Sequence, residues 1–254
     1  MKINEDDMLT TSLLLLAAAF LAGAMNAVAG GGSFLTLPAL IYAGVPPVAA
    51  NATGTVALLP GYASGVYGYR NDLEPVGGVG LVTLSVVSLV GGLLGAGLLL
   101  VTPDTVFRQI VPWLLLLATA LFAFGGPLAA RLRSVGLHGT GAMLATLFVV
   151  SIYGGYFNGG LGILLLAQLS LFGMTNLNAM NGLKNLFSAV LTAIAVVAYA
   201  VGGAVEWPYA ALMTIAAVIG GYAGARVGRK IPARILRAGI IGVGLVMSIL
   251  FFLK

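Results

Sequence analysis

Lys184 is the residue that most needs a chemical explanation, because it stands in a long run with no other charged side chain before it. Asn181, Lys184, Asn185 and Ser188 recur at spacings of three and four, which puts them on one face of a helix. Placing a lysine in a membrane span costs about 2.5–3.5 kcal/mol on insertion scales, so it requires a partner or water. No Asp or Glu falls inside a neighbouring apolar run to pair with it, and an anionic ligand would. The competing reading is that its long stem carries the ammonium group to the nearer interface. A second kind of chemistry is offered by backbone. Gly30-Gly31-Gly32-Ser33 and Asn158-Gly159-Gly160 are each followed by a short apolar segment of about three helical turns. The first turn of a helix leaves N–H groups unpaired and carries a partial positive charge, which suits an anion. The bland alternative is a structural turn packed among other helices. Asn51, Thr53 and Thr55 follow the first cluster as Asn181, Lys184 and Asn185 follow the second. These residues, with Gly30, Gly31, Gly32, Ser33, Asn158, Gly159 and Gly160, form the expected substrate-binding set. Asn26, Thr36, Gln168, Asn176 and Asn178 add to the same polar clusters.

Groups of this kind can act only if the elements around them hold them away from water. Hydrophobic residues make up 60% of the chain and charged ones 7%, and no Asp, Glu, Lys or Arg occurs from residue 8 through residue 69. Further charge-free stretches cover 75–103, 109–130 and 134–183. A span needs roughly 20 apolar residues. The fold class is therefore all-α, a polytopic membrane protein, and a soluble domain is excluded. The net charge of +5 is explained by loop anchors at the membrane surface better than by nucleic acid. There is no cysteine, so disulfides and thiolate chemistry are absent. His138, the single histidine, follows Arg131 and Arg133 and reads as a loop residue or helix start, not a metal ligand. Ala27-Val28-Ala29 imitates a signal-peptide cleavage site, but residues 2–7 are acidic rather than basic. Residues 10–29 are read as a retained helix.

One constant shift of 129 maps Gly31 onto Gly160, Gly44 onto Gly173, Gly91-Gly92 onto Gly220-Gly221, Gly95 onto Gly224, Pro103 onto Pro232 and Arg108 onto Arg237. The chain divides into a first transmembrane repeat over 1–130 and a second over 137–254. Expected helices are 10–29, 33–43, 47–69, 76–101 and 109–130, then 137–157, 161–172, 176–201, 208–226 and 234–252. The short second member of each set covers only about half of the ~30 Å hydrocarbon core. Pro46-Pro47 is expected to end the first of them. Gly91-Gly92 with Gly95, and Gly220-Gly221 with Gly224, read as close packing between helices.

If the chain turns back at each glycine cluster and the N-terminus is outside, eight of the twelve Lys and Arg lie in cytoplasmic loops and three outside, with Lys184 in the membrane. A straight kinked span would split the basic loops at Arg131 and Arg226 between the two faces. The loop of Arg226, Arg229, Lys230 and Arg234 corresponds to the uncharged Gly97, Leu100, Val101 and Thr105. Two copies of one loop with opposite charge character are what inverted repeats produce. Both termini are then outside.

Asn26, Gly30-Gly31-Gly32-Ser33-Phe34, Pro38, Leu40 and Gly44, followed by Ala52-Thr53-Gly54-Thr55, resemble the TauE/SafE-type sulfite exporter family of membrane permeases. A weaker copy of the pattern is Gly159-Gly160 with Leu169 and Gly173, and Gly224, Arg226, Ile231-Pro232 and Leu236-Arg237 are similar too. In the second copy Leu161 interrupts the glycine run and Ala167 replaces the proline. The resemblance implies secondary transport of sulfite, sulfonates or related anions across a prokaryotic inner membrane. The expected function is a secondary transporter, in the export direction, working by alternating access at a midplane site between two broken helices. The alternatives are an anion channel or a permease for another small anion. An enzyme is not expected, because Asp72, Glu74, Asp104 and Glu206 are scattered over loops. No cofactor, metal or nucleic acid is called for; the partners are a small anionic substrate and the lipid bilayer, and association into oligomers is left open.

Overall fold

The computed structural model describes residues 5–28, 30–135, 139–227 and 233–253. His138, Arg229, Lys230, Ile231 and Pro232 lie outside the described residues. The helices are Glu5–Val28 (α1), Ser33–Tyr42 (α2), Pro47–Gly68 (α3), Leu81–Val101 (α4) and Asp104–Val135 (α5). In the second half of the chain come Thr140–Tyr156 (α6), Leu161–Leu171 (α7), Leu177–Val201 (α8), Trp207–Val227 (α9) and Ala233–Phe252 (α10). No strand occurs among the described residues, apart from an isolated bridge between Val76 and Val79. Four described segments are long and apolar enough to span a bilayer: Leu9–Ala27, Leu81–Val101, Asp104–Leu121 and Leu177–Val201. Val82, Val86, Leu93 and Leu98 of α4, with Ile215, Val218 and Ile219 of α9, face outward. Such a surface suits lipid. The chain is an all-α polytopic membrane protein.

The short helices end for the same reason in both places. Gly44 and Gly173 each take φ 86°. Their amides bond back to Ile41 and Ser170, and the next amides, of Val45 and Met174, reach Leu40 and Leu169. This is a Schellman stop, and only glycine adopts it without strain. The end of α2 is thus set by Gly44; Pro46-Pro47, expected to end α2, instead opens α3, with Pro47 in its first turn. The shift of 129 holds at these ends but slips by one at the starts. Gly32 caps α2 and Gly160 caps α7, so Leu161 occupies the position of Ser33 and α7 is 11 residues long against 10 for α2.

Packing is closest where glycines meet backbone. A methyl group on Gly220 would overlap Phe20, and one on Gly224 would overlap Ala24, so α1 and α9 run parallel in contact. Gly91 meets Phe148 and Ser151 while Gly95 meets Ile152 and Tyr156, which makes α4 and α6 parallel as well. Gly65 meets Asn185 and Gly182 meets Tyr69, so α3 and α8 are antiparallel.

These contacts fix which helix ends share a face. The Val48 amide donates to Asp104 Oδ1 at 2.8 Å, and the Glu206 amide donates to Thr53 Oγ1 at 3.0 Å. The turn between α2 and α3 therefore lies with the α4–α5 and α8–α9 connections. Because α1 is parallel to α9, it also starts on that face, and the chain doubles back at Gly30. On the opposite face Tyr69 and Leu73 touch Gly182, and Gly77 lies near Met143. There α6 starts and α7 ends. Again the chain doubles back.

Candidate functional site

The two glycine breaks meet. A Cβ placed on Gly30 would sit 3.4 Å from the Gly162 Cα, and one on Gly162 would sit 3.5 Å from the Gly30 Cα and 3.3 Å from Lys184 Cδ. Glycine at both positions is what allows two backbones and a lysine stem to share this point. Gly30 also has φ 80° and Gly160 φ 73°, conformations that reverse the chain after α1 and before α7. Gly32 has no room for a side chain, since a methyl group there would lie 2.9 Å from the Ala22 carbonyl and from Leu58.

The electrostatics of the junction are one-sided. No described residue accepts from the amides of Gly31, Gly32 or Ser33, whereas those of Phe34, Leu35 and Thr36 turn back to Gly31 and Gly32. The first turn of α7 has the same form, with Ile163 and Leu164 bonded to the Gly160 carbonyl. Two helix N-termini thus point their partial positive charge into one neighbourhood. Lys184 joins them with only 7% of its surface exposed. No described residue hydrogen-bonds its ammonium group or pairs with it. Among the described residues three positive features meet there without a negative one, an arrangement that can attract an anion.

Asn158 takes a left-handed conformation (φ 63°), is 2% exposed and accepts a hydrogen bond from the Tyr62 hydroxyl at 3.1 Å. That bond fixes the amide, and its Nδ2 is left buried without an acceptor. The Tyr153 hydroxyl donates to the Gly159 carbonyl, and that of Tyr199 to Gly155. Asn185 lies against Gly65 and lines a cavity with Asn26.

Other members of the expected set are committed to the protein itself. Asn51 donates Nδ2 to the Tyr156 carbonyl at 3.0 Å, tying α3 to the end of α6. Thr55 donates to the Asn51 carbonyl of its own helix at 2.8 Å. Thr53 receives the Glu206 amide on the far face, and Asn181 donates to Leu177 in the first turn of α8. The structure therefore gathers Gly30, Gly31, Gly32, Ser33, Asn158, Gly159, Gly160 and Lys184 around one junction. Asn51, Thr53, Thr55 and Asn181 are hydrogen-bonded elsewhere. Tyr62, Tyr153 and Tyr199 were not in the expected set. Tyr62 has a signal in the sequence, because tyrosines of membrane helices concentrate at the interfaces and it falls inside α3; Tyr153 and Tyr199 stand in the last turns of α6 and α8 and give none.

With this geometry in view, comparison with known proteins is specific. The family model for Sulfite exporter TauE/SafE matches residues 15–251. A "Probable membrane transporter protein ORF9" of Sinorhizobium sp is 30% identical over 244 residues, 92% of this chain and 90% of that protein. The "Probable membrane transporter protein YfcA" of Escherichia coli strain K12 is 29% identical over 232 residues, covering 91% and 85% of the two chains. A "Probable membrane transporter protein" of Haemophilus influenzae is 25% identical over 243 residues, 92% of each. No solved structure gives a significant match.

Proposed function

The chain belongs to the TauE/SafE sulfite exporter family of membrane transporters, and from that premise we propose that it is a secondary carrier of a small sulfur-containing oxyanion, such as sulfite or an organosulfonate. The observation that carries this reading is the contact of Gly30 with Gly162 under the stem of Lys184. Substrate oxygens would take the unpaired amides of the two helix starts and the donor left on Asn158, with Lys184 balancing the charge. Transport, not catalysis, is what such a site performs. It binds and releases without any group placed to make or break a bond.

Alternating access follows from the way the halves exchange partners. In our reading 1–130 and 137–254 are inverted repeats, with α1 on α9 answering α6 on α4, and α3 on α8 pairing like with like. One half rocking against the other would expose the junction to each side in turn. The face bearing Arg70, Arg131, Arg133 and Arg226 is then cytoplasmic, both termini are outside, and the membrane is the prokaryotic inner one. The carrier operates in the export direction.

Purified protein in proteoliposomes tests this directly. Uptake of sulfite, thiosulfate, sulfate and ethanesulfonate should saturate for at least one of the four and be slow enough for a carrier. Linear, non-saturating flux would make the protein a channel, and no flux of any anion would remove the reading.

A further inference from the structure

A groove of about 780 Å³ opens between the start of α5 and the end of α10, on the face that carries the α4–α5 connection. Asp104, Arg108 and Gln109 line it at the start of α5, and Trp113 and Phe252 line it further along. Trp113 is about 13 Å down the helix from Asp104 at 1.5 Å per residue. The Trp113 and Phe252 rings pack edge to face at 5.1 Å, and they are 64% and 48% exposed where lipid would lie. Charged groups giving way to aromatic rings over such a depth is the profile of a bilayer interface.

Both charges in the groove are open to a ligand. Asp104 and Arg108 stand one helical turn apart, with side chains on the same side of α5. Even so, they form no ion pair with each other, and among the described residues nothing hydrogen-bonds the Arg108 guanidinium. Asp104 spends Oδ1 on the Val48 amide at 2.8 Å, which leaves Oδ2 to accept from elsewhere. A molecule joining an anion to a cation at the spacing of one turn, about 5–6 Å, would satisfy both groups.

We propose that the groove binds a phospholipid whose headgroup carries a primary ammonium, a phosphatidylethanolamine. Its phosphate meets Arg108, its ammonium donates to Asp104 Oδ2, and its acyl chains run along Trp113 and Phe252. A choline headgroup has a cation but no N–H to donate, and a glycerol headgroup brings no cation for Asp104. The site therefore selects among lipids, which a simple interfacial arginine anchor does not. It is separate from the Gly30–Gly162 junction and independent of which anion is carried.

Trp113 supplies the readout. The chain has two tryptophans, so Trp207→Phe leaves Trp113 as the only reporter. The full chain with that change, in detergent, is titrated with phosphatidylethanolamine, phosphatidylcholine and phosphatidylglycerol bearing brominated acyl chains, which quench tryptophan fluorescence. Phosphatidylethanolamine should reach half-quenching at about a tenth of the lipid fraction the other two require, the equivalent of one charge-assisted hydrogen bond. Asp104→Asn keeps an acceptor for Val48 and should bring phosphatidylethanolamine to the level of the choline lipid. Arg108→Gln should raise the half-quenching fraction of phosphatidylethanolamine about tenfold. Both side chains are exposed, and an unchanged unfolding midpoint shows each variant to be folded. If one does not fold, the headgroup comparison in the Trp207→Phe protein decides alone. Equal quenching by the three lipids would show an unselective lipid shell and overturn the assignment. A preference that survives both substitutions would overturn it as well. Relief of quenching by inorganic phosphate or sulfite would make the groove a site for soluble anions, again against the proposal.

Discussion

The two glycine breaks have similar backbone paths and different surroundings. Around the second, side chains from three helices cap the backbone: Tyr199 on Gly155, Asn51 on Tyr156 and Tyr153 on Gly159, with Tyr62 holding Asn158. At the first, the Gly30 amide turns back to the Met25 carbonyl at 3.2 Å, and among the described residues no side chain caps the turn. The first break instead follows Asn26, which lines a cavity and whose Oδ1 is buried without a partner. The cation is equally one-sided. Lys184 belongs to the second half, and its counterpart at a shift of 129 is Thr55, whose hydroxyl bonds its own helix. One wall is thus braced and holds the buried lysine, and the other is open and borders a cavity.

The strongest way to break this contrast is to put the same methyl group on each turn. Gly160→Ala combines a left-handed conformation (φ 73°) with a Cβ only 2.9 Å from that of Ala118. It should cost about 2–4 kcal/mol, from left-handed strain and overpacking together. Gly30→Ala has the same backbone problem, but its nearest neighbour is 3.4 Å away. About 1–2 kcal/mol is expected there. Thermal unfolding in detergent should therefore rank Gly160→Ala well below Gly30→Ala. Equal losses would erase the difference between the walls.

Removing a brace is the next largest change. Tyr199→Phe deletes the hydroxyl that pairs the buried Gly155 carbonyl and should destabilise by about 1–3 kcal/mol. A shift in unfolding midpoint smaller than that of a surface control would show the brace to be idle. The smallest effect is expected from Thr55→Val. A hydroxyl bonded to its own helix contributes little, so stability should stay within about 0.5 kcal/mol and sulfite uptake should be unchanged. A large fall in uptake would return Thr55 to the site.

Much of this was readable before the fold, and the failures have physical causes. Both short helices, their glycine caps and the polar stripe through Lys184 follow from local spacing, and the helix starts and ends mostly agree within a few residues. The starts of α1, expected at 10 and found at Glu5, and of α4, expected at 76 and found at Leu81, are each misplaced by five residues. Gly77 and Gly78 take φ 56° and 79°, turning apolar residues that look helical into a loop up to Leu81. The expected 109–130 helix is longer, Asp104–Val135, because hydropathy marks where a helix leaves lipid and not where its hydrogen bonds stop. The one-residue slip between α2 and α7 was hidden by matching glycines. Which asparagine keeps an unpaired donor and which caps a carbonyl is not legible at all. Asn51 and Tyr156 are separated by 105 residues, and Tyr62 and Asn158 by 96, so nothing in spacing links them.

Sulfite uptake by Lys184→Ala, set beside wild type in the same proteoliposomes, bears most directly on the braced wall as the seat of charge recognition. Loss of the one buried cation at the junction should raise KM by at least about tenfold, the equivalent of one charge-assisted hydrogen bond. An unchanged KM in folded Lys184→Ala protein would contradict the account, and would leave the meeting of Gly30 and Gly162 as a packing contact.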